Sequence, residues 1–424
     1  MEAKKNRLFS RYQVYVIVLL AVLQFTIVLD FMVLSPLGAI LMPTMHITPS
    51  QFGLVVSAYA ISAGITGFLA AGYADKFDRK KMLLFFYVGF VVGTMLCALA
   101  TSYHFLLIAR IVTGMFGGVT GAIGFAIITD LFALEIRGRV MGLIQMAFGA
   151  SQVLGMPIGL KLANAYNWHA PFTLLSVLGV LLGIALLGLK NMPPQAVTER
   201  NSNAFVHLKH TISKPQYLLG FAATTLMATG GFMLMPFGTA FNTHNLGISI
   251  DDVPMVYFIT GLFTLVISPL TGRLSDKIGK YKMFVAGSVL SMILVFIYCN
   301  MTHSTLPVVI AISVVMFAGV SSRMIAASTL LSAVPTPQDR GAFMSINSSV
   351  QQISGGIAAA LAGLIVSERP DHSLVNFDKL GYVICGTMIF TIFMMYKVNK
   401  MVQSKTQAAP VQVPNPEPVS VPAE

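Results

Sequence analysis

Charge is the scarcest property of this chain. Of its 424 residues only 10% are Asp, Glu, Lys or Arg, 55% are hydrophobic, and the mean hydropathy is +0.77. A soluble domain carries roughly 25% charged residues to keep its surface in water, so this composition excludes a water-facing globule and leaves lipid as the solvent. Cysteine is nearly absent too. Cys97, Cys299 and Cys385 lie singly inside apolar stretches with no CxxC pair, which excludes a disulfide framework and reads as small core residues. The eight histidines fall near stretch ends or in gaps without an HExxH, and no GxxxxGK[ST] occurs. A catalytic metal and an ATP-cradling loop are therefore not expected. No nucleophile–base constellation stands out, so neither an enzyme nor a cofactor is expected.

Long apolar runs are what the chain has instead. A membrane-crossing helix needs roughly 20 mostly apolar residues. Twelve runs qualify: 14–41, 51–72, 82–101, 105–131, 140–162, 170–189, 216–241, 252–272, 283–300, 306–331, 343–366 and 381–398. The longest gap, 190–215, holds Pro193-Pro194 and Asn201-Ser202-Asn203 and suits a linker. Residues 399–424 read as a disordered tail, with five prolines between Pro410 and Pro422. The first run is too long for a signal-peptide core and lacks an A-x-A site, so it is expected to stay as a helix.

The net charge is +11, yet the cations form no stripe of the kind that binds nucleic acid. They sit in the gaps between runs. Counting the ends and alternate gaps as one side, 22 cations lie there, three (Lys161, Arg369, Lys379) lie opposite, and Arg110 and Arg323 fall within runs. Cytoplasmic loops collect Lys and Arg, so residues 1–13, the linker and the tail are all expected in the cytoplasm.

One motif occurs twice. Asp75-Lys76-Phe77-Asp78-Arg79-Lys80-Lys81-Met82 returns 201 residues later as Asp276-Lys277-Ile278-Gly279-Lys280-Tyr281-Lys282-Met283. Met115-Phe116-Gly117-Gly118-Val119 and Met316-Phe317-Ala318-Gly319-Val320 keep the same offset. Repeats at half the chain length mark tandem bundles, a scaffold common in solute carriers. The expected fold is all-α: twelve transmembrane helices in two pseudo-symmetric six-helix bundles, 14–189 and 216–398.

These residues resemble the major facilitator superfamily, particularly its twelve-helix proton-coupled drug and sugar exporters, over about residues 14–398. The resemblance implies that the two bundles surround a central cavity. The family loop G-x-L-A-D-R-x-G-R-K is matched by Ala71 to Lys80, with Ala71 and Asp78 replacing its glycines, and by Gly272 to Lys280, which keeps them. Arg110-Ile111-Val112-Thr113-Gly114 is similar to the family's R-x-x-x-G element. Gly155-Met156-Pro157-Ile158-Gly159 is close to the exporter signature G-P-x-x-G, with Met156 inserted. The resemblance implies gating contacts at the cytoplasmic loops, involving Asp75, Arg79, Asp276 and Lys280, with Asp130 as the candidate partner of Arg79. Plain topology-setting charge, or a solvated helix end at Asp130, is the alternative. It also implies that the Gly155–Gly159 segment lies against the second bundle and limits leakage. Ser151, Gly155 and Gly159, four apart, otherwise make a general packing face, and Pro157 invites a kink.

Buried ionisable groups carry the functional reading, because bare charge at bilayer depth costs several kcal/mol. Asp30 lies about 24 Å up a roughly 30 Å core, and Arg110, entering from the other side, at about 23 Å. Helices 1 and 4 are neighbours in the resembled fold, so the two are expected to pair. A carboxylate beside a guanidinium can exchange a proton as its partner moves; a static ion pair is the alternative. Arg323 is expected in a gate contact with Asp276 or Asp339, rather than on a substrate anion, because no second buried cation marks an anion site. Gln24, Tyr59, Gln145, Gln152, Phe232, Met235, Tyr257, Asn347, Gln351 and Gln352 are the candidate cavity residues, suited to a sugar or a drug-like molecule alike. The expected protein is a monomeric multi-pass carrier of a bacterial inner membrane, with a small molecule, protons and lipid as partners and no nucleic acid. Efflux by proton antiport leads, proton symport for uptake is the near alternative, and a non-transporting receptor or scaffold the distant one.

Overall fold

A computed structural model describes residues 9–70, 77–132, 134–192, 210–336 and 339–408. Nearly all are helical. Helices α1 (Arg11–Val33), α2 (Pro49–Ala70), α3 (Arg79–Ala98) and α4 (Tyr103–Leu131) are followed by α5, which runs Leu134–Ala150, a π-helical turn Ser151–Gly155, and Met156–Ala165. Then come α6 (Ala170–Leu186), α7 (Pro215–Asn245), α8 (Val253–Ile278), α9 (Lys280–Cys299), α10 (Leu306–Ser332), α11 (Arg340–Ile365) and α12 (Phe377–Ala408). Ten of these are each long and apolar enough to cross a membrane; α6 has 17 residues and α5 is interrupted. Twelve crossings return the chain to the face it started from, here the terminal face.

Side-chain caps set several starts. Ser10 and Gln13 form a reciprocal capping box before α1, and Ser102 accepts from the Phe105 N–H before α4. Asp78 accepts from the Lys81 N–H at 3.0 Å and caps α3. At the repeat-equivalent position Gly279 adopts φ +97° and is the whole connection between α8 and α9. The second charged motif is thus not a loop: Asp276 and Lys277 belong to the last turn of α8, and Lys280 opens α9. Apolarity ends at 272, but the helix continues into water. The same reasoning corrects α12, which runs past 398 to Ala408. A two-stranded hairpin, Ser367–Glu368 against Leu374–Val375, joins α11 to α12.

Two helices break near the far face. α1 ends at Val33 and a separate helix Gly38–Met45 resumes after the turn at Pro36; α7 breaks after Leu234, at Pro236, and resumes at Gly238. Proline lacks the N–H that would continue the ladder. The repeat extends here: Phe31-Met32 and Phe232-Met233 are also 201 apart.

Three apolar cores show how the bundles meet. The far-face core draws buried members from both, including Leu29, Val33 and Phe52 with Phe237, Ala359 and Ala362. The buried members of the other two cores come from one bundle each: Val16, Met82 and Ile127 in the first, Tyr217, Phe284 and Phe343 in the second. The halves share a core at the far face and keep separate cores at the terminal face, where Phe68 of α2 still packs on the second bundle. Glycines bring α2 and α11 into backbone contact, since a Cβ on Gly53 would lie 2.8 Å from the Ala359 carbonyl and one on Gly363 2.7 Å from that of Pro49. The pseudo-equivalent α5–α8 seam is closed over its far half, where a Cβ on Gly261 would meet Val153 at 2.9 Å and Asn164 Nδ2 donates to the Ile250 carbonyl at 3.0 Å.

Candidate functional site

Asp30 and Arg110 meet inside the first bundle. Arg110 Nη1 lies 2.8 Å from Asp30 Oδ2, and both side chains are essentially inaccessible, at 1% exposure for Arg110 and 0% for Asp30. The Thr94 hydroxyl of α3 lies 3.1 Å from Asp30 Oδ1, so each carboxylate oxygen has a polar neighbour. The guanidinium rests 4.5 Å over the ring of Tyr59. Gly114 makes that stack attainable: a Cβ there would lie 2.4 Å from the Tyr59 carbonyl, so only glycine lets α4 approach α2 this closely. The R-x-x-x-G spacing thus has a physical content, placing the cation and the close approach one turn apart on α4.

Phe31, next to Asp30, packs in tilted contact on Tyr59 with ring centroids 5.2 Å apart and on Phe232 of the second bundle at 5.9 Å. The two phenylalanines are repeat mates that touch each other. A continuous path of contacts, Asp30–Arg110–Tyr59–Phe31–Phe232, therefore leads from the buried pair to the seam between bundles.

The cavity lies elsewhere. It has a volume of about 240 Å³ and is walled by α1, α5, α7, α8 and α10, with Tyr298 of α9 and Met388 of α12. Neither Asp30 nor Arg110 lines it. Of the ten candidate cavity residues, Gln152, Met235 and Tyr257 do. Tyr59 lies beneath Arg110, Phe232 is pressed between Phe31 and Gly355, and Asn347 accepts a hydrogen bond from Thr224 at 2.6 Å. Gln24, Gln351 and Gln352 are half-buried outside its walls, and the side chain of Gln145 lies outside the described residues. Sequence names helices for a cavity, but only the rotation of each helix decides which side chains face it.

The gate candidates separate into local pairs. Arg79 Nε meets Asp130 at 3.2 Å within the first bundle, and Lys280 pairs with Asp276 one turn away. Asp75 lies outside the described residues. Arg323 does not reach Asp276 or Asp339 in an ion pair, which corrects its expected gate contact. It lines the cavity at 3% exposure instead. Asp339 is held by Lys214 Nζ at 2.6 Å, the Tyr217 hydroxyl at 2.7 Å and the Thr336 hydroxyl at 3.2 Å. Hydrogen bonds from Lys214 and Tyr217 hold its carboxyl down at about 2. This cluster ties the start of α7 to the α10–α11 turn and has no signature in the sequence, where Lys214 and Asp339 are 125 positions apart.

On helix α5 the segment Gly155–Gly159 does lie along α8 of the second bundle, but its small residues do not face that way. The small face Ser151–Gly155–Gly159 packs on α1 of its own bundle: Ser151 Oγ is 3.1 Å from the Phe25 carbonyl, and Cβ atoms on Gly155 and Gly159 would strike Leu29 and Val33 at 2.7 Å. The opposite side, through Val153, meets the second bundle. Pro157 supplies no N–H, and the ladder shifts to a π turn over Ser151–Gly155 just before it.

Comparison with known proteins agrees with this architecture. The chain is 29% identical over 274 residues (64% of this chain, 70% of the relative) to the MFS-type transporter YceJ of Bacillus subtilis (strain 168). It is 25% identical over 264 residues (60% and 66%) to Multidrug resistance protein 2 of the same organism. In structure it is similar to a bacterial homolog of the human lysosomal transporter Spinster in an inward-facing, unoccupied conformation, with TM-score 0.69, 16% identity and coverage of 94% of this chain and 98% of that one. Residues 20–242 and 220–417 match the profile of the Major Facilitator Superfamily, and the chain belongs to that family of membrane transporters.

Proposed function

We propose that this carrier exports a small organic compound in exchange for protons, with Asp30 as the proton carrier and the Arg110 pair as its switch. The observation that carries the reading is a carboxylate at 0% exposure whose ionic partner is a guanidinium that cannot lose its charge. Adding a proton to Asp30 removes most of what holds Arg110, because the pair is attractive only while the acid is ionised. The freed guanidinium moves against the Tyr59 ring, and Tyr59 bears on Phe31 and through it on Phe232. Proton binding can thereby bias the packing between bundles, which is what alternating access needs. The distribution of cations supports a cytoplasmic terminal face, in which case the fused far face closes the outside and the cavity waits for cargo from within.

Export, rather than uptake, is supported by the name of the multidrug resistance relative and by the exporter-like helix element. Flux in proteoliposomes under imposed pH gradients tests both. Accumulation against the proton flow is expected, and Asp30→Asn should abolish it while preserving exchange of cargo at equal pH. Undiminished proton-driven transport by that variant would falsify the role of Asp30; cargo moving with the protons would make the carrier a symporter.

A further inference from the structure

The described residues include a second deeply buried cation, and no acid among them answers it. Arg323 of α10 is 3% exposed, lines the cavity, and makes no hydrogen bond or ion pair among the described residues. Its Nε and Nη2 are buried without a partner. The ring of Phe284 lies 5.8 Å from its Cζ, at the outer edge of a cation–π contact. Arg110 shows the contrast: it is sealed from the cavity and holds Asp30, Tyr59 and a backbone carbonyl.

A guanidinium stays charged and offers five donors in a planar fork. Leaving it unpaired away from water costs free energy that a carboxylate would recover. The cavity supplies further unmet polar groups, since the hydroxyls of Ser35 and Thr260 on its wall are also buried without partners. The remaining wall is apolar and adaptable, with seven methionines that include Met227, Met316 and Met388. Among the described residues no Asp or Glu lines it, so a cationic cargo would find a like charge and no counterion.

From this geometry we infer that the cargo is an amphipathic organic monoanion, its carboxylate or comparable head held by Arg323 and its apolar body lodged among the methionines. The inference rests on the transport reading above and names its substrate class. It also gives the two buried cations separate roles, with Arg110 serving the proton acid and Arg323 the cargo.

Binding at equilibrium tests it without requiring proton coupling. Purified full-length protein in detergent is titrated calorimetrically with 2-naphthoate, its neutral isostere 2-naphthamide, and 2-naphthylmethylammonium. A charge-assisted pair predicts naphthoate binding at least about tenfold tighter than the amide. Arg323→Gln should erase that preference and Arg323→Lys should keep part of it. The inference falls if wild-type protein binds the amide or the ammonium as tightly as the carboxylate, or binds no naphthoate. It also falls if a monodisperse Arg323→Gln protein retains the anion preference. Absence of proton-driven flux in the wild-type protein, with this preference intact, would fault the coupling scheme alone.

Discussion

At the scale of single residues, the same chemical pair does different work according to where water can reach. Asp30 and Arg110 are both shut away, so each depends on the other; removing one partner of such a pair costs about 3–5 kcal/mol because the other is stranded. Asp339 sits at the membrane edge, where Lys214, Tyr217 and Thr336 stabilise its ionised form. Its carboxyl is lowered from 3.8 to about 2, first by the hydrogen bond from Lys214 and then by that from Tyr217. An acid whose folded value is depressed adds stability above its unfolded value and loses it as pH falls through the folded one. Asp339→Asn should therefore lower the Tm of the purified protein by roughly 2–4 °C at pH 7, a gap that closes between about pH 4 and pH 2. A gap unchanged across that window would show that the acid's charge contributes nothing.

At the scale of elements, apolar runs and caps are legible in the sequence and partners are not. Asp30 and Arg110 can be matched from sequence because charge is rare in these runs, the two fall at one depth, and the resembled fold makes their helices neighbours. Lys214 and Asp339 have no such scarcity to single them out. Arg323 reads towards the gate because its depth is visible in the sequence and its rotation is not. The glycine face of α5 is legible as a face, but periodicity does not say which neighbour it meets. That neighbour is α1, which makes a separable expectation. Gly155→Leu should drive a side chain into Leu29, whose Cδ1 would lie 2.7 Å from the new Cβ, and loosen the first bundle. Gly261→Leu should strike Val153 across the bundles at 2.9 Å and disturb the far-face seam instead. Thermal unfolding should therefore show the larger loss for Gly155→Leu, while accessibility of a thiol at Asn164→Cys should rise only with Gly261→Leu. Equal thiol exposure in both variants would contradict the assignment of α5's two faces.

At the scale of the whole molecule, one shared core on the far face and two separate cores on the terminal face leave the bundles joined most tightly at one end. Opening the far face must part Phe31 from Phe232 and Phe52 from Phe237, and must release Asn164 from the Ile250–Asp251 turn. Asn164 Nδ2 is 3.3 Å from Asp251 Oδ1, so cysteines at these two positions fall within reach of a short bis-methanethiosulfonate linker. The native thiols offer little competition, since Cys97 and Cys299 are buried and Cys385 is half-buried. Linking Asn164→Cys to Asp251→Cys should hold the far face shut and stop transport in proteoliposomes, and a reductant should restore it. Either single cysteine treated alike should transport normally. If flux persists with the link intact, cargo crosses without this seam opening, and the two bundles do not rock about a closed far face.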